Sequence, residues 1–253
     1  MMTDRLHMTK MTWMDYARCT DRPIILPVGS TEQHGPHLPL GVDSIIAENF
    51  AALLAQRIDA VVAPTLSYGY KSKPFSGGGP LFPGTIDLNG STLQALAADI
   101  LLEFARDGFT RIFLMNAHFE NDPFLIEAMD SVNERLGGKA TMLLSNWWDP
   151  LPEEMLPVLF DETPFPGWAL EHAAITETSL MLYFAPELVR TPAISRCENV
   201  CPPAYALYPI PADAVPSSVV LASAWSSSAE KGQKIVEAVL PALEKMAREV
   251  FNL

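Results

Sequence analysis

The chain has 253 residues, of which 49% are hydrophobic and 19% charged, a balance that allows a sizeable buried core and excludes bulk disorder. Its formal net charge of −13 argues against nucleic acid and anionic membranes as partners, because phosphate groups are bound by clustered Lys and Arg. The three cysteines match neither a disulfide framework nor a paired zinc motif. No apolar run has the length of a signal peptide or a membrane span, so we expect a cytoplasmic protein with reduced cysteines.

Strand and helix patterns alternate along the first 145 residues. Short apolar runs predict strands over residues 24–28, 60–63, 111–116 and 140–145, and helical spacing predicts helices over residues 43–58, 91–106 and 123–136. This order implies crossover connections and a mainly parallel sheet that is covered on both faces. We therefore predict an α/β fold. Because no linker or internal repeat is visible, we expect a single domain over residues 1–253.

The second half of the chain is less regular. Residues 146–174 are rich in proline and aromatic side chains, which is typical of a long functional loop. A short helix is predicted over residues 177–184, and residues 186–217 carry many prolines and little periodicity. The last 25 residues form an amphipathic helix whose apolar face we expect to pack on the core.

The loop that follows the first predicted strand carries side chains typical of metal ligands. Glu32, His34 and Asp43 lie among glycines and prolines that exclude a regular helix or strand. Imidazole and carboxylate groups are the usual ligands of zinc, manganese and related divalent ions. His37 lies in the same loop, and we expect it to support the ligands and not to bind metal itself.

A second loop, after the strand at residues 111–116, carries His118 and Glu120. Residues two apart in an extended segment point to the same side, and the carboxyl ends of parallel strands lie at one edge of the sheet. The two loops are therefore expected to converge. A single ion needs three protein ligands, so five candidates favour two ions over one, although a lone Glu-x-His pair is commonly just solvated.

A third polar cluster contains Glu171, His172 and Glu177. His172 is a candidate proton donor because imidazole titrates near neutrality, with a purely structural histidine as the alternative. The chain has no Gly-x-Ser-x-Gly elbow and no cysteine in a nucleophile setting. A covalent serine or cysteine mechanism is therefore not supported.

Several motifs, taken together, resemble the creatininase (creatinine amidohydrolase) family. They are EQHGPHLP at residues 32–39 with Asp43, FPGT at 82–85, NAHFEN at 116–121 and ETS at 177–179. The resemblance extends over about residues 23–188 and more weakly to the end of the chain. It implies a three-layer α/β/α sandwich, a homohexamer and two divalent ions per subunit, zinc or manganese.

The same resemblance implies roles for individual side chains. The first ion would be held by Glu32, Asp43 and His118, and the second by His34, Asp43 and Glu120, with Asp43 bridging. Catalytic roles would fall to His172, Glu177 and Glu120. Ser76, Trp148, Trp168 and Phe119 would occupy substrate-binding positions, the tryptophans closing over the substrate.

The implied activity is hydrolysis of creatinine to creatine by a metal-activated water. Three residues depart from the family pattern: Ala117, which narrows the pocket by a methyl group, and Phe119 and Ala169, which remove polar contacts. The last two put the substrate in question and leave open another small lactam, formamide, lactone or cyclic ketone. A third hypothesis is a non-catalytic protein whose metal ions are purely structural. It is disfavoured because structural zinc sites are closed and usually rich in cysteine, whereas these ligands are mostly carboxylates.

Overall fold

A parallel sheet forms the centre of the computed structural model, which describes residues 6–77, 79–194, 196–197, 199–211 and 220–253. Its strands are β1 (Ile24–Val28), β2 (Val61–Val62), β3 (Arg111–Asn116) and β4 (Thr141–Asn146), in the order β2-β1-β3-β4. All three pairings are parallel, which confirms the predicted sheet. Val28 pairs with Asn116, and Asn116 pairs with Asn146, so that β1, β3 and β4 end at the same level.

Helices cover both faces of the sheet. They are α1 (Trp13–Tyr16), α2 (Val42–Ile58), α3 (Pro74–Gly77), α4 (Gly90–Asp107), α5 (Asp122–Leu136), α6 (Leu156–Leu159), α7 (Ile175–Phe184) and α8 (Ala229–Phe251). Alternate strand residues point to opposite faces. Ile25 and Phe113 pack in one buried cluster with α2, α7 and α8, whereas Ile24 and Ile112 pack in another with α4 and α5. The result is the three-layer α/β/α arrangement that was expected.

Most of the predicted element bounds differ from the observed ones by one or two residues. α4 begins at Gly90, one residue early, because the backbone oxygen of Asn89 accepts from the N–H groups of Thr92 and Leu93. α7 begins at Ile175, two residues early, and residues 74–77 form a helical turn inside a stretch predicted to be irregular. Residues 195, 198 and 212–217 of the proline-rich segment lie outside the described residues. None of the helices in the described ranges is both long and apolar enough to cross a bilayer.

The crossing of α7 and α8 depends on a glycine. A Cβ atom added at Gly232 would lie 2.1 Å from the backbone oxygen of Ser179. We expect Gly232→Ala to lower the free energy of unfolding by about 1–3 kcal/mol, because overpacking outweighs the gain of about 1 kcal/mol that alanine brings to a helix interior. Urea denaturation measures this change. The matched control is Gly41→Ala, where an added Cβ meets no atom within 4 Å; equal stabilities of the two variants would contradict the prediction.

Candidate metal centre

The two ligand-bearing loops meet above the carboxyl edge of the sheet. Glu32, His34 and Asp43 lie between β1 and the first turn of α2, while His118 and Glu120 follow β3 directly. β1 and β3 are neighbouring strands whose last residues, Val28 and Asn116, are paired. The two loops therefore leave the sheet at the same place. The first turn of α7 and the loop before it add further polar side chains to this region.

Asp43 lies between two buried imidazoles. Its Oδ1 is 3.0 Å from Nε2 of His34, and its Oδ2 is 3.1 Å from Nδ1 of His118. Nδ1 of His118 is also 2.9 Å from Oε1 of Glu32, and Nε2 of His34 is 3.6 Å from Oε2 of Glu177. A carboxylate with one oxygen toward each imidazole is placed as a bridging ligand would be.

Three groups of side chains in the described residues bring their ligand atoms within 4.8 Å of one another. They are Glu32, Asp43 and His118; His34, Asp43 and Glu177; and Glu32, His34 and His172. The first group is the set expected for the first ion. In the second, Glu177 lies where the family resemblance implies Glu120.

Glu120 lies to one side of these groups. Its Oε2 is 3.5 Å from Nε2 of His118, and its Oε1 accepts from the backbone N–H of Lys73 at 3.3 Å and from the Ser76 hydroxyl. Glu120 therefore borders the cluster and links it to Ser76. Its role as a ligand of the second ion stays a prediction.

Backbone carbonyls fix the orientation of the two ligand imidazoles. Nε2 of His118 donates to the carbonyl oxygen of Tyr70 at 2.8 Å, which leaves Nδ1 facing Glu32 and Asp43. Nδ1 of His34 donates to the carbonyl oxygen of Glu32 at 3.2 Å, which leaves Nε2 facing Asp43. Such hydrogen bonds select the tautomer of a metal-binding histidine.

Concentrated negative charge shifts the pKa values of the cluster. Burial alone would lower the pKa of His34, but the carboxylates of Asp43 and Glu177 outweigh it and raise this pKa to about 10. Burial and the charge of Asp43 raise the pKa of Glu177 to about 8, although His34 opposes the shift. A divalent cation would take the place of the protons that these groups otherwise hold.

Several buried polar atoms of the cluster form no hydrogen bond of acceptable geometry: Oε2 of Glu32, Nε2 of His34 and Oδ2 of Asp43. Unpaired polar atoms in a protein interior are costly, and charged ones more so. Bound cations would satisfy all three. Because the donor set is nitrogen and oxygen without sulfur, it fits ions such as zinc and manganese.

Beside the cluster lies a small cavity that opens to solvent. Phe119, Trp148 and Trp168 form a row of roughly parallel rings on its wall, with centroids 6.1 and 6.3 Å apart. Trp147 stands nearly perpendicular to both tryptophans.

Polar side chains that the sequence predicts for the site also line the cavity: Ser76, Glu120, His172 and Glu177, together with the apolar Ala117. Sequence reasoning missed Trp147, which is fully buried and looks like an ordinary core residue.

His172 is held by a residue that the sequence analysis did not single out. Its Nε2 is 2.7 Å from the carbonyl oxygen of Gln33, and the Gln33 amide donates to the carbonyl of Gly77 at 2.7 Å. The ring of His172 lies 4.3 Å from that of His34, between centroids. His37 instead contacts Thr178 at 2.9 Å and belongs to none of the three groups found in the described residues.

Asn121 holds the backbone of Tyr70, whose carbonyl oxygen orients the His118 ring. Its Oδ1 accepts from the N–H of Tyr70 at 2.8 Å, and its Nδ2 donates to the carbonyl of Gly29 at 3.0 Å. We expect Asn121→Ala to weaken metal binding about 10- to 100-fold, the usual cost of removing such outer support. Titration of the protein with Zn²⁺ against a competing chelator measures the affinity. The exposed Asn133, changed to alanine, is the control; equal affinities in the two variants would contradict the prediction.

Comparisons with known proteins agree on one family. The family model for creatininase, described as creatinine amidohydrolase, matches residues 9–247. A creatinine amidohydrolase from Pseudomonas putida is 35% identical over 257 residues, covering 99% of this chain and 99% of that protein. A 3-dehydro-scyllo-inosose hydrolase from Thermotoga maritima is 30% identical, covering 90% of this chain and 78% of the relative. The matched range contains every residue of the cluster.

Solved structures show the same similarity. A mutant creatininase complexed with creatine has a TM-score of 0.94 at 35% identity, covering 97% of this chain and 98% of that one. A mutant creatininase of the Zn-Zn type has a TM-score of 0.93 at 35% identity, covering 96% and 97%. A creatininase described with Mn has a TM-score of 0.92 at 36% identity, covering 96% and 98%. The backbone of this chain therefore follows theirs over nearly its whole length.

Proposed function

The chain belongs to the creatininase (creatinine amidohydrolase) family, and from this premise we propose that it is a metal-dependent cyclic amidohydrolase that converts creatinine to creatine. The observation that carries the proposal is Asp43, buried between His34 and His118 at the base of a cavity walled by aromatic rings. The similarity to the Pseudomonas putida enzyme, which extends over both chains, supports the same activity.

Two divalent ions per subunit, zinc or manganese, fit the buried donor set. We assign Glu32, Asp43 and His118 to the first ion, and His34 and Asp43 to the second, with Glu120 as the further ligand that the family implies. Glu177 is the carboxylate that lies beside His34 in the structure. When bound, such ions lower the pKa of water toward about 7 and polarise the carbonyl that is attacked.

His172 is placed to move a proton. Burial and the charge on His34 lower the pKa of His172 to about 4, so that the ring is neutral at pH 7. Two groups lie near Nε2, the carbonyl oxygen of Gln33 at 2.7 Å and its side-chain amide nitrogen at 3.0 Å. We assign the hydrogen to Nε2, because the closer carbonyl oxygen can only accept. Nδ1, 3.8 Å from Oε1 of Glu32, has a free lone pair. It can accept the proton that the attacking water loses and give it to the ring nitrogen that departs.

The aromatic wall would hold a small planar ring. Trp148 and Trp168 are nearly parallel, with an angle of 28° between their planes, and Phe119 continues the row. A flat ring with delocalised electrons gains about 0.5–1.5 kcal/mol when it stacks against such a face. Ser76, on the same cavity wall, would contact polar substrate atoms, and its hydroxyl also contacts Glu120. These side chains also exclude bulk water from the reacting carbonyl.

Turnover by defined metal forms tests the proposal. The protein is stripped with a chelator, reloaded with Zn²⁺ or Mn²⁺, and incubated with creatinine while creatine formation is followed by chromatography. We expect no turnover after stripping and recovery with either ion, while the fold persists by circular dichroism. A reloaded protein that forms no creatine would overturn the creatinine assignment, and unfolding on stripping would favour purely structural ions.

A second candidate function retains the metals and changes the substrate. The Phe119 ring on the cavity wall offers no polar atom, and Ala169, beside Trp168, is exposed and carries only a methyl group. The Thermotoga maritima relative is described as a hydrolase of a dehydro-inosose. Assays of the reloaded protein with lactams, formamides, lactones and cyclic ketones, alongside creatinine, separate the two candidates by kcat/KM.

The remaining expectations concern the whole molecule. We propose that it is a single domain of residues 1–253 that assembles as a homohexamer in the cytoplasm. Exposed Tyr205, Leu207 and Tyr208 form an apolar stretch that an interface between subunits would cover. The unpaired cysteines support a reducing compartment. Light scattering coupled to size-exclusion chromatography measures the subunit number directly.

A further inference from the structure

One carboxylate on the cavity wall has no part in the metal cluster. Glu171 lines the cavity and is 5% exposed, and its Oε1 has no hydrogen-bond partner. In the described residues it belongs to none of the groups that could hold a metal ion. The other carboxylates on the same wall, those of Glu32, Asp43, Glu120 and Glu177, each lie close to a ligand imidazole.

The other oxygen of Glu171 is firmly held. Its Oε2 accepts from the backbone N–H of Thr176 at 3.1 Å and from the Thr176 hydroxyl. These contacts use free donors in the first turn of α7. The backbone N–H of Glu171 donates to the carbonyl of Trp168 at 3.2 Å, which sets the residue one turn after that tryptophan. The side chain is therefore rigid, and Oε1 is left over as an acceptor.

Burial raises the pKa of Glu171 to about 7, although the donors of α7 lower it. A buried acceptor without a partner is costly, and a hydrogen bond to a charged group contributes more than one to a neutral group. A ligand N–H that reached Oε1 would remove this cost. A site with such an acceptor rejects a ligand that presents an acceptor in the same place.

We propose that Glu171 determines specificity by accepting a hydrogen bond from an N–H of the substrate, so that the site selects small cyclic amides with an amino or imino group on the ring. The inference rests on the proposed function, under which the group is the exocyclic amino group of creatinine. Trp168 and Glu171 lie on one helical turn and line the same cavity, so that one small ring could contact both.

Glu171→Gln tests the proposal with a matched pair of ligands. The amide oxygen can still accept from Thr176, so the contact to α7 is retained, while an N–H₂ group replaces the free acceptor. Creatinine carries an amino group where 1-methylhydantoin carries a carbonyl oxygen. We expect the affinity for creatinine to fall about 10- to 100-fold and that for 1-methylhydantoin to stay equal or to rise. On the Zn²⁺-loaded protein at about pH 8.5, where Glu171 is ionised, the KM for creatinine and the inhibition constant of 1-methylhydantoin report the two affinities. Calorimetric titration replaces KM if creatinine binds without being hydrolysed.

Glu187→Gln, at an exposed position, is the control for loss of one negative charge. If Glu171 only anchors α7, its replacement by glutamine will change the melting temperature but not the ratio of the two affinities, and the proposal is overturned. Turnover by the wild type decides the proposed function separately. If the wild type binds creatinine without hydrolysing it, the affinity ratio still decides the role of Glu171; if it binds neither ligand, both proposals fail.

Discussion

Asp43→Asn is expected to lose both metal ions and to lower creatinine turnover by about a thousandfold or more. Its two oxygens lie 3.0 and 3.1 Å from the imidazoles of His34 and His118, so one substitution removes a ligand from each ion. An amide keeps the shape of the side chain but supplies no negative charge. A loss of this size corresponds to about 4 kcal/mol of transition-state stabilisation, within the range that metal ions supply.

The measurement is metal content by mass spectrometry after dialysis, together with the rate of creatine formation. Glu48→Gln is the matched control, because Glu48 lies on the same helix, α2, and is exposed. We expect this variant to retain metal and activity. An Asp43→Asn protein that still holds two ions per chain would show that Asp43 is not a shared ligand.

His172→Gln is expected to keep both metal ions but to lose turnover by about 10²- to 10⁴-fold, the range attributed to a positioned proton-transfer group. A glutamine amide can still donate to the carbonyl oxygen of Gln33, which His172 contacts at 2.7 Å. It cannot accept and release a proton near neutral pH. The fold and the metal cluster are therefore retained while proton transfer is lost.

Single-turnover rates and metal content are measured on the same preparation. His7, which lies outside the cavity lining, is changed to glutamine as the control. Full activity of His172→Gln would remove His172 from the proton path. Loss of metal together with activity would instead assign it to the third group of potential ligands, with Glu32 and His34.

The regular elements follow from local sequence patterns. The apolar run at residues 24–28 corresponds to β1. The apolar residues that recur every three or four positions in the last 25 residues correspond to α8. Such patterns depend on the period of one element and need no knowledge of its neighbours. Helix starts are predicted less precisely, as at Gly90, because the first N–H groups of a helix can donate to different nearby oxygens, here the backbone oxygen of Asn89.

Local sequence patterns predict only some of the residues of the site. Glu32, His34, Asp43 and His118 stand out because ligand residue types lie directly after strands. Glu177 is different, since it meets His34 only because α7 packs against α2. No spacing in the chain relates two residues that far apart.

Residue types and their order along the chain were enough to establish a parallel α/β sheet, two polar loops at its carboxyl edge and the family resemblance. Only the tertiary structure decided that Glu177 meets His34 while Glu120 borders His118, that Trp147 lines the cavity, and that Glu171 keeps a free oxygen. The physical reason is that strand ends place loops within ångströms of one another through local geometry, whereas the contacts of a buried side chain depend on how separate helices pack.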